Sequence, residues 1–206
     1  MRIAIVGGTG AFGLALAKRA IAAGDTVVIG SRDAERAATA AAELGAEGAT
    51  NEDAVRAADL VVLATKADGA LETARALRGA IGATPVLCVA SELRFAKAGV
   101  FPTDEATSIA ERMAAEVDAP VVAGLHSLAA ATLGGDEPPE EDVLVCGDDP
   151  DAKALALELA GKVADGRALD AGPLAGARAL EGLTAVIVNL NKRYRAHAGI
   201  RVTGIR

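Results

Sequence analysis

Tryptophan is missing from this 206-residue chain, tyrosine occurs once and phenylalanine three times. Aromatics make up 2% of the sequence against 51% hydrophobic residues, so the interior has to be filled by alanine, valine, leucine and isoleucine. The length is ample for a buried core in one large domain, or in a domain with a small annex. Cysteine and histidine occur twice each. Cys88 and Cys146 lie far apart in apolar runs without CxxC spacing, which argues for buried free thiols and against a structural metal site. Positive charge is in deficit too. A net charge of -7 and a pI near 4.9 exclude a general nucleic-acid binder with a basic face. There is no signal-peptide pattern and no run of about 18 apolar residues, so the expectation is a cytoplasmic protein with no membrane partner.

What the chain does have is alternation. RIAIVG (2–7), TVVIG (26–30), ADLVVLAT (58–65), TPVLCVA (84–90) and APVVAGL (119–125) read as buried strands. Helical stretches lie between them: one ending near Gly24, one over 33–44 capped by Asp33, and others around 69–79 and 104–116. Continuous apolar strands separated by helices imply a parallel sheet covered on both faces, an α/β doubly wound fold of Rossmann type. LGGDEPPEED (133–142) reads as a solvated acidic loop, with a soft boundary just before it near residue 125. The divisions are then 1–125 and a small C-terminal α/β segment, 126–206. In the second, a strand at 142–147, a helix from Pro150, a short strand at 167–172 and a long helix from Pro173 to about Arg195 are expected. Each proline takes a first-turn position. GIRVTGI (199–205) closes the chain as an edge strand. Asp148, Asp149 and Asp151 read as helix-start chemistry, not metal ligands.

GGTGAFG (7–13) follows the first strand and opens a helix, the context a dinucleotide fingerprint requires. Gly8, Gly10 and Gly13 have the G-x-G-x-x-G spacing: the first for a tight turn, the second for pyrophosphate approach, the third for close packing of helix on strand. Free N–H groups at the helix start face the phosphates. At the end of the second strand an acid would bind the ribose 2′-hydroxyl of NAD. Here Ser31 and Arg32 stand instead, with Arg36 one helical turn on. All three donate to a 2′-phosphate, and charge-assisted hydrogen bonds of about 1.5–3 kcal/mol make NADP(H) the preferred cofactor. The only tyrosine, Tyr194, has alanine four residues later. The Tyr/Lys pair of short-chain dehydrogenases is therefore absent, and no side chain stands out as an obligatory acid or base. Direct hydride transfer between two cofactors fits such sparse machinery.

GGTGAFG, GSRDAER, GLHSLAAA (124–131), VCGDD (145–149), LDAGPL (169–174) and NKRYRAHAGIRVTGI (191–205) together give the chain a near full-length resemblance to the NADPH-dependent reductases of coenzyme F420, a 5-deazaflavin. The resemblance implies that Thr9, Gly10, Ala11 and Phe12 contact the pyrophosphate and nearby ribose, that Ser31, Arg32 and Arg36 hold the 2′-phosphate, and that Thr65 and Ala130 also contact the cofactor. His126, Ser127 and Ala130 would lie where nicotinamide and deazaflavin meet, with Ala198 and Gly199 bordering the deazaflavin ring. A homodimer is implied as well. The resemblance has departures. TKADGA (65–70) puts Lys66 and Ala67 where a Pro-Trp pair is common, and VASELRF (89–95) replaces a proline-containing turn. Lys66 would suit an anionic group on a different acceptor. Two further readings therefore stay open: an NADPH-dependent reductase of a flavin or another small electrophile, and a non-catalytic NADP sensor. The basic tail (Lys192, Arg193, Arg195, Arg201, Arg206) reads equally as a rim for the phosphate and glutamates of F420 or as cations complementing a helix C-terminus.

Overall fold

A computed structural model describes residues 1–205; Arg206, the last cation of the tail, lies outside them. Ten strands run in chain order: β1 Arg2–Val6, β2 Thr26–Ser31, β3 Glu47–Thr50, β4 Leu60–Leu63, β5 Val86–Cys88, β6 Leu93–Ala96, β7 Gly99–Pro102, β8 Val121–Gly124, β9 Val143–Gly147 and β10 Ala168–Asp170. The helices are α1 Ala11–Ala22, α2 Ala34–Ala42, α3 Asn51–Val55, α4 Ala67–Ile81, α5 Ile109–Ala114, α6 Ala130–Leu133, α7 Pro150–Val163 and α8 Ala177–Tyr194, the last entered through a 3-10 turn at Leu174–Gly176. Eight strands form one sheet in the order β10-β9-β8-β5-β4-β1-β2-β3. Every pairing in it is parallel except β8 with β9. The fold is α/β and doubly wound, as the alternation predicts.

Period-two burial builds the two cores. On β1, Ile3 and Ile5 point to one face of the sheet, where α1 and α7 bring Leu16, Leu159 and Val163. Ala4 and Val6 point to the other, against Leu77 and Ile81 of α4 and Ile109 and Met113 of α5. The helix starts follow from side-chain chemistry. Asp33 accepts from the N–H groups of Glu35 and Arg36, Ser108 and Glu111 form a capping box, and Asp149 caps α7 with Pro150 in its first turn. Between β4 and β2 the central strand β1 has neighbours whose crossovers leave in opposite senses, which opens a crevice at the carboxyl ends of the strands.

Four elements depart from the sequence expectation. EGAT becomes β3 and leads into α3, although Glu47 is exposed, the other three residues are only half-buried, and the run carries little strand character. The helix expected over 104–116 is confined to α5, and the preceding residues form the antiparallel hairpin β6–β7. Residues 199–205 are not a strand. Side chains hold them instead: Val202 N–H donates to Asp142 Oδ2 at 2.8 Å, and Arg167 Nη1 donates to Ile205 O at 2.9 Å. The acidic loop is solvated only in part, because Glu141 and Asp142 at its end are 4% and 3% exposed. Buried Arg19 ties the loop's start to α1, donating to Leu133 O at 2.8 Å and Gly135 O at 2.9 Å. Among the described residues no helix is long and apolar enough to cross a membrane.

Candidate functional site

The glycine turn sits where β1 ends in the crevice. Its positive φ falls at Gly7 (+75°), one residue before the fingerprint's first glycine, and there a Cβ would lie 2.9 Å from Thr65 Cγ2. Gly8 is instead a close-approach position. Its N–H donates to Ile5 O and to Gly30 O, both at 3.1 Å, and a Cβ would come within 2.7 Å of Ile5 O. Gly13 lets α1 close on the turn, since a Cβ there would stand 2.7 Å from Gly8 Cα. Helix α1 has Gly10 at its N-cap, with no side-chain cap and no acid in its first turn. Its first N–H groups and the positive end of its dipole thus face the crevice, a ready anion site.

A cavity of about 750 Å³ runs from this turn past the end of β2 and is lined by Thr9, Gly10, Ser31, Arg32, Arg36 and Asn51 among others. Ser31 is buried and accepts from Asp33 N–H at 3.3 Å, while Arg32 and Arg36 are exposed. Asp33 also lines this end, but its carboxylate is occupied in capping α2. Among the described residues neither arginine pairs with an acid. This end of the crevice therefore presents two guanidinium groups with no acidic partner among the described residues.

A second cavity of about 730 Å³ shares Ala64, Thr65, Lys66 and Asp68 with the first. Its floor is apolar, with Phe12, Val89, Leu125, Leu128 and Val188, and His126 stands among them. Leu125 holds a left-handed φ of 64°, unusual outside glycine, and this turns the chain out of β8 to bring His126 into the wall. His126 Nε2 lies 3.3 Å from Ala90 O, and Nδ1 is buried without a partner among the described residues. Burial pushes the imidazole down to about 4, so the ring is neutral, with Nε2–H donating and Nδ1 free to accept. Thr184 Oγ1 on α8 donates to His126 O at 2.9 Å and fixes the turn.

Thr9, Gly10, Phe12, Ser31, Arg32, Arg36, Thr65 and His126 thus converge on one continuous crevice, while Gly8, Ala11, Gly13 and Ala130 line neither cavity. Ala130 opens α6, which packs against α1. Ser127, Ala198 and Gly199 stand outside the two cavity walls. Ala198 N–H donates to Asn191 Oδ1 at 2.6 Å, and Gly199 packs against buried Glu141, whose carboxyl burial raises above its ordinary range. Sequence reasoning did not single out Asn51, Thr184, Val188 or Phe95 as wall residues. Asn51 follows the polar β3, and Phe95 arrives on a hairpin whose only signal is the glycine at 99. Three buried polar atoms without a partner among the described residues, Asn51 Oδ1, Thr65 Oγ1 and His126 Nδ1, lie at these walls. With the uncapped α1, they are what a dinucleotide would satisfy.

Comparison with known proteins gives the family and the fold. The family described as NADP oxidoreductase, coenzyme F420-dependent, matches residues 2–90. The chain is similar to the F420-dependent NADP reductases of Methanothermobacter thermautotrophicus, at 37% identity over 100% of this chain and 96% of the relative, and of Methanocaldococcus jannaschii, at 33% identity over 100% and 99%. In fold it is similar to a crystal structure from Arthrobacter sp. FB24 described as a proposed F420-dependent NADP reductase, with a TM-score of 0.87, 23% identity and coverage of 99% of this chain and 100% of that one.

Proposed function

The chain belongs to the family of F420-dependent NADP reductases, and from that premise we propose that it passes hydride between NADPH and coenzyme F420, in either direction. The observation that carries the reading is the pair of cavities joined through Ala64, Thr65, Lys66 and Asp68: one ends in cations, the other in an apolar chamber. When bound, the nicotinamide and the deazaflavin supply the two-electron chemistry.

The protein's own part is to bind, orient and exclude water. Ser31, Arg32 and Arg36 take the 2′-phosphate, and the N–H groups from Ala11 to Gly13 take the pyrophosphate. Thr9, Ala11, Phe12, Thr65 and Ala130 complete the cofactor contacts. Val89, Leu125, Leu128 and Val188 keep water from the meeting point, where alignment of the two rings supplies most of the rate. Neutral His126 offers Nδ1 as an acceptor to a ring or amide N–H, and it moves no proton. Ser127, Ala198 and Gly199 back the chamber on the acceptor side. In this division residues 1–125 bind NADP and residues 126–206 complete the acceptor pocket.

Val186, Leu190 and Tyr194, spaced by four on α8, are exposed at 53%, 40% and 68%, and this stripe supports a homodimer. Cys88 and Cys146 are free thiols, which suits a reducing, cytoplasmic setting. The reaction is tested by stopped-flow absorbance of the protein with NADPH and oxidised F420. The deazaflavin band is expected to bleach with NADPH and not with NADH. Arg32→Ala should raise KM for NADPH by about 10- to 100-fold, the loss of one charge-assisted contact. Bleaching with NADH at equal rate would overturn the 2′-phosphate reading.

A further inference from the structure

The loop at 65–70 brings no ring to the acceptor cavity, yet the cavity has an aromatic wall: Phe95, carried on β6 from the opposite side. Folding leaves this ring 68% exposed. The hairpin that carries it is fixed. Val100 N–H donates to Asn189 Oδ1 at 2.8 Å, Asn189 Nδ2 donates to Val100 O at 2.7 Å, and Gly99, at φ +146°, lies flat against the same side chain. Thr184, Val188 and Lys192, spaced by four, share one face of α8; the first two line the cavity. Lys192 Nζ sits 5.5 Å from the centre of the Phe95 ring. Among the described residues Lys192 pairs with no carboxylate, although acids outnumber bases in the chain.

We propose that Phe95 and Lys192 form an acceptor-selecting subsite, in which Phe95 packs on a planar heteroaromatic ring at the cavity mouth and Lys192 receives an anionic group on that ring's side chain. The inference rests on the hydride-transfer reading above and names which part of the acceptor the protein recognises. The Val186/Leu190/Tyr194 stripe is two residues out of step with Thr184, Val188 and Lys192, which puts it about 200° away around the helix. A partner covering that stripe thus leaves the subsite open.

The test compares two acceptors, F420 and the same deazaflavin riboside without phosphate and glutamates, in steady-state kinetics with NADPH. Binding of NADPH is read in parallel by its own fluorescence, and molar mass by light scattering. Phe95→Ala is expected to raise KM for both acceptors by roughly tenfold, with NADPH affinity unchanged and Phe95→Trp restoring it. Lys192→Gln is expected to raise KM for F420 alone by about three- to fivefold, an effect that shrinks at high salt. An active wild type whose Phe95→Ala variant keeps its KM within about twofold, or changes molar mass instead of KM, overturns the subsite and leaves the hydride-transfer reading standing. A Lys192→Gln effect of equal size on both acceptors overturns the anion assignment. A wild type that leaves F420 unbleached while binding NADPH overturns the hydride-transfer reading and the subsite with it.

Discussion

His126 owes its chemistry to the residue before it. The left-handed Leu125 turns the chain inward, and the imidazole is buried where protonation would strand a charge. That burial has a measurable consequence. In the unfolded chain the ring titrates near its ordinary 6.5, and in the folded protein at about 4. As pH falls through this window the unfolded state takes up the proton first, so stability that is complete above 6.5 is lost progressively down to about 4, by up to about 3 kcal/mol. Buried Glu141 and Glu181 titrate above their ordinary range and work in the opposite sense, losing stability as pH rises. The His126 contribution is therefore isolated by difference. Melting of wild type and His126→Asn is expected to differ most near neutrality, with the gap narrowing toward pH 4; a constant gap would remove the argument. At this scale much of the site was legible. Ser31, Arg32 and Arg36 stand out by charge and spacing and do line one cavity, whereas the neutrality of His126 depends on walls that come from distant segments.

Helices and strands were legible in proportion to their apolar content. Buried strands such as LVVL announce themselves, and so do capped helices such as α2 behind Asp33. EGAT does not, because β3 pairs only with β2 at the sheet edge and needs no apolar run. The tail misleads in the other direction. IRV has strand composition, but the edge it approaches is occupied by charged clasps. Asp142 accepts from Arg167 N–H at 2.9 Å, from Arg167 Nη2 at 2.6 Å and from Val202 N–H at 2.8 Å, and the Arg167 guanidinium holds its carboxyl well below the usual carboxylate range. If these clasps rather than a strand ladder hold residues 199–205, then Asp142→Ala should free the tail while the sheet stays intact. Limited proteolysis followed by mass spectrometry is expected to cut this variant beyond Tyr194 several times faster than wild type, with far-ultraviolet dichroism unchanged. Equal cleavage rates would show that the tail is held by something else.

Across the whole molecule, one sheet places both ends of the crevice on a rigid support. β1 and β2 present the glycine turn and the Ser31/Arg32/Arg36 set, β4 and β5 carry the shared wall, and β8 delivers His126. Few aromatics mean few large side chains to close an outer face, and α8 shows the result. It spends one face on the cavity and leaves Val186, Leu190 and Tyr194 uncovered. A second copy of α8 would be a self-complementary cover, because a two-fold axis beside the helix would bring the stripe onto itself. Leu190 lies at the stripe's centre, so Leu190→Glu would oppose two carboxylates across such an axis, a repulsion on top of the lost apolar contact. Light scattering is expected to give a dimer mass of about twice the 20.5 kDa chain for wild type and a monomer mass for this variant. NADPH binding should persist, because none of Val186, Leu190 and Tyr194 lines either cavity. A variant that stays dimeric would place the contact elsewhere; a monomeric wild type would mean that the exposed stripe serves no second copy at all.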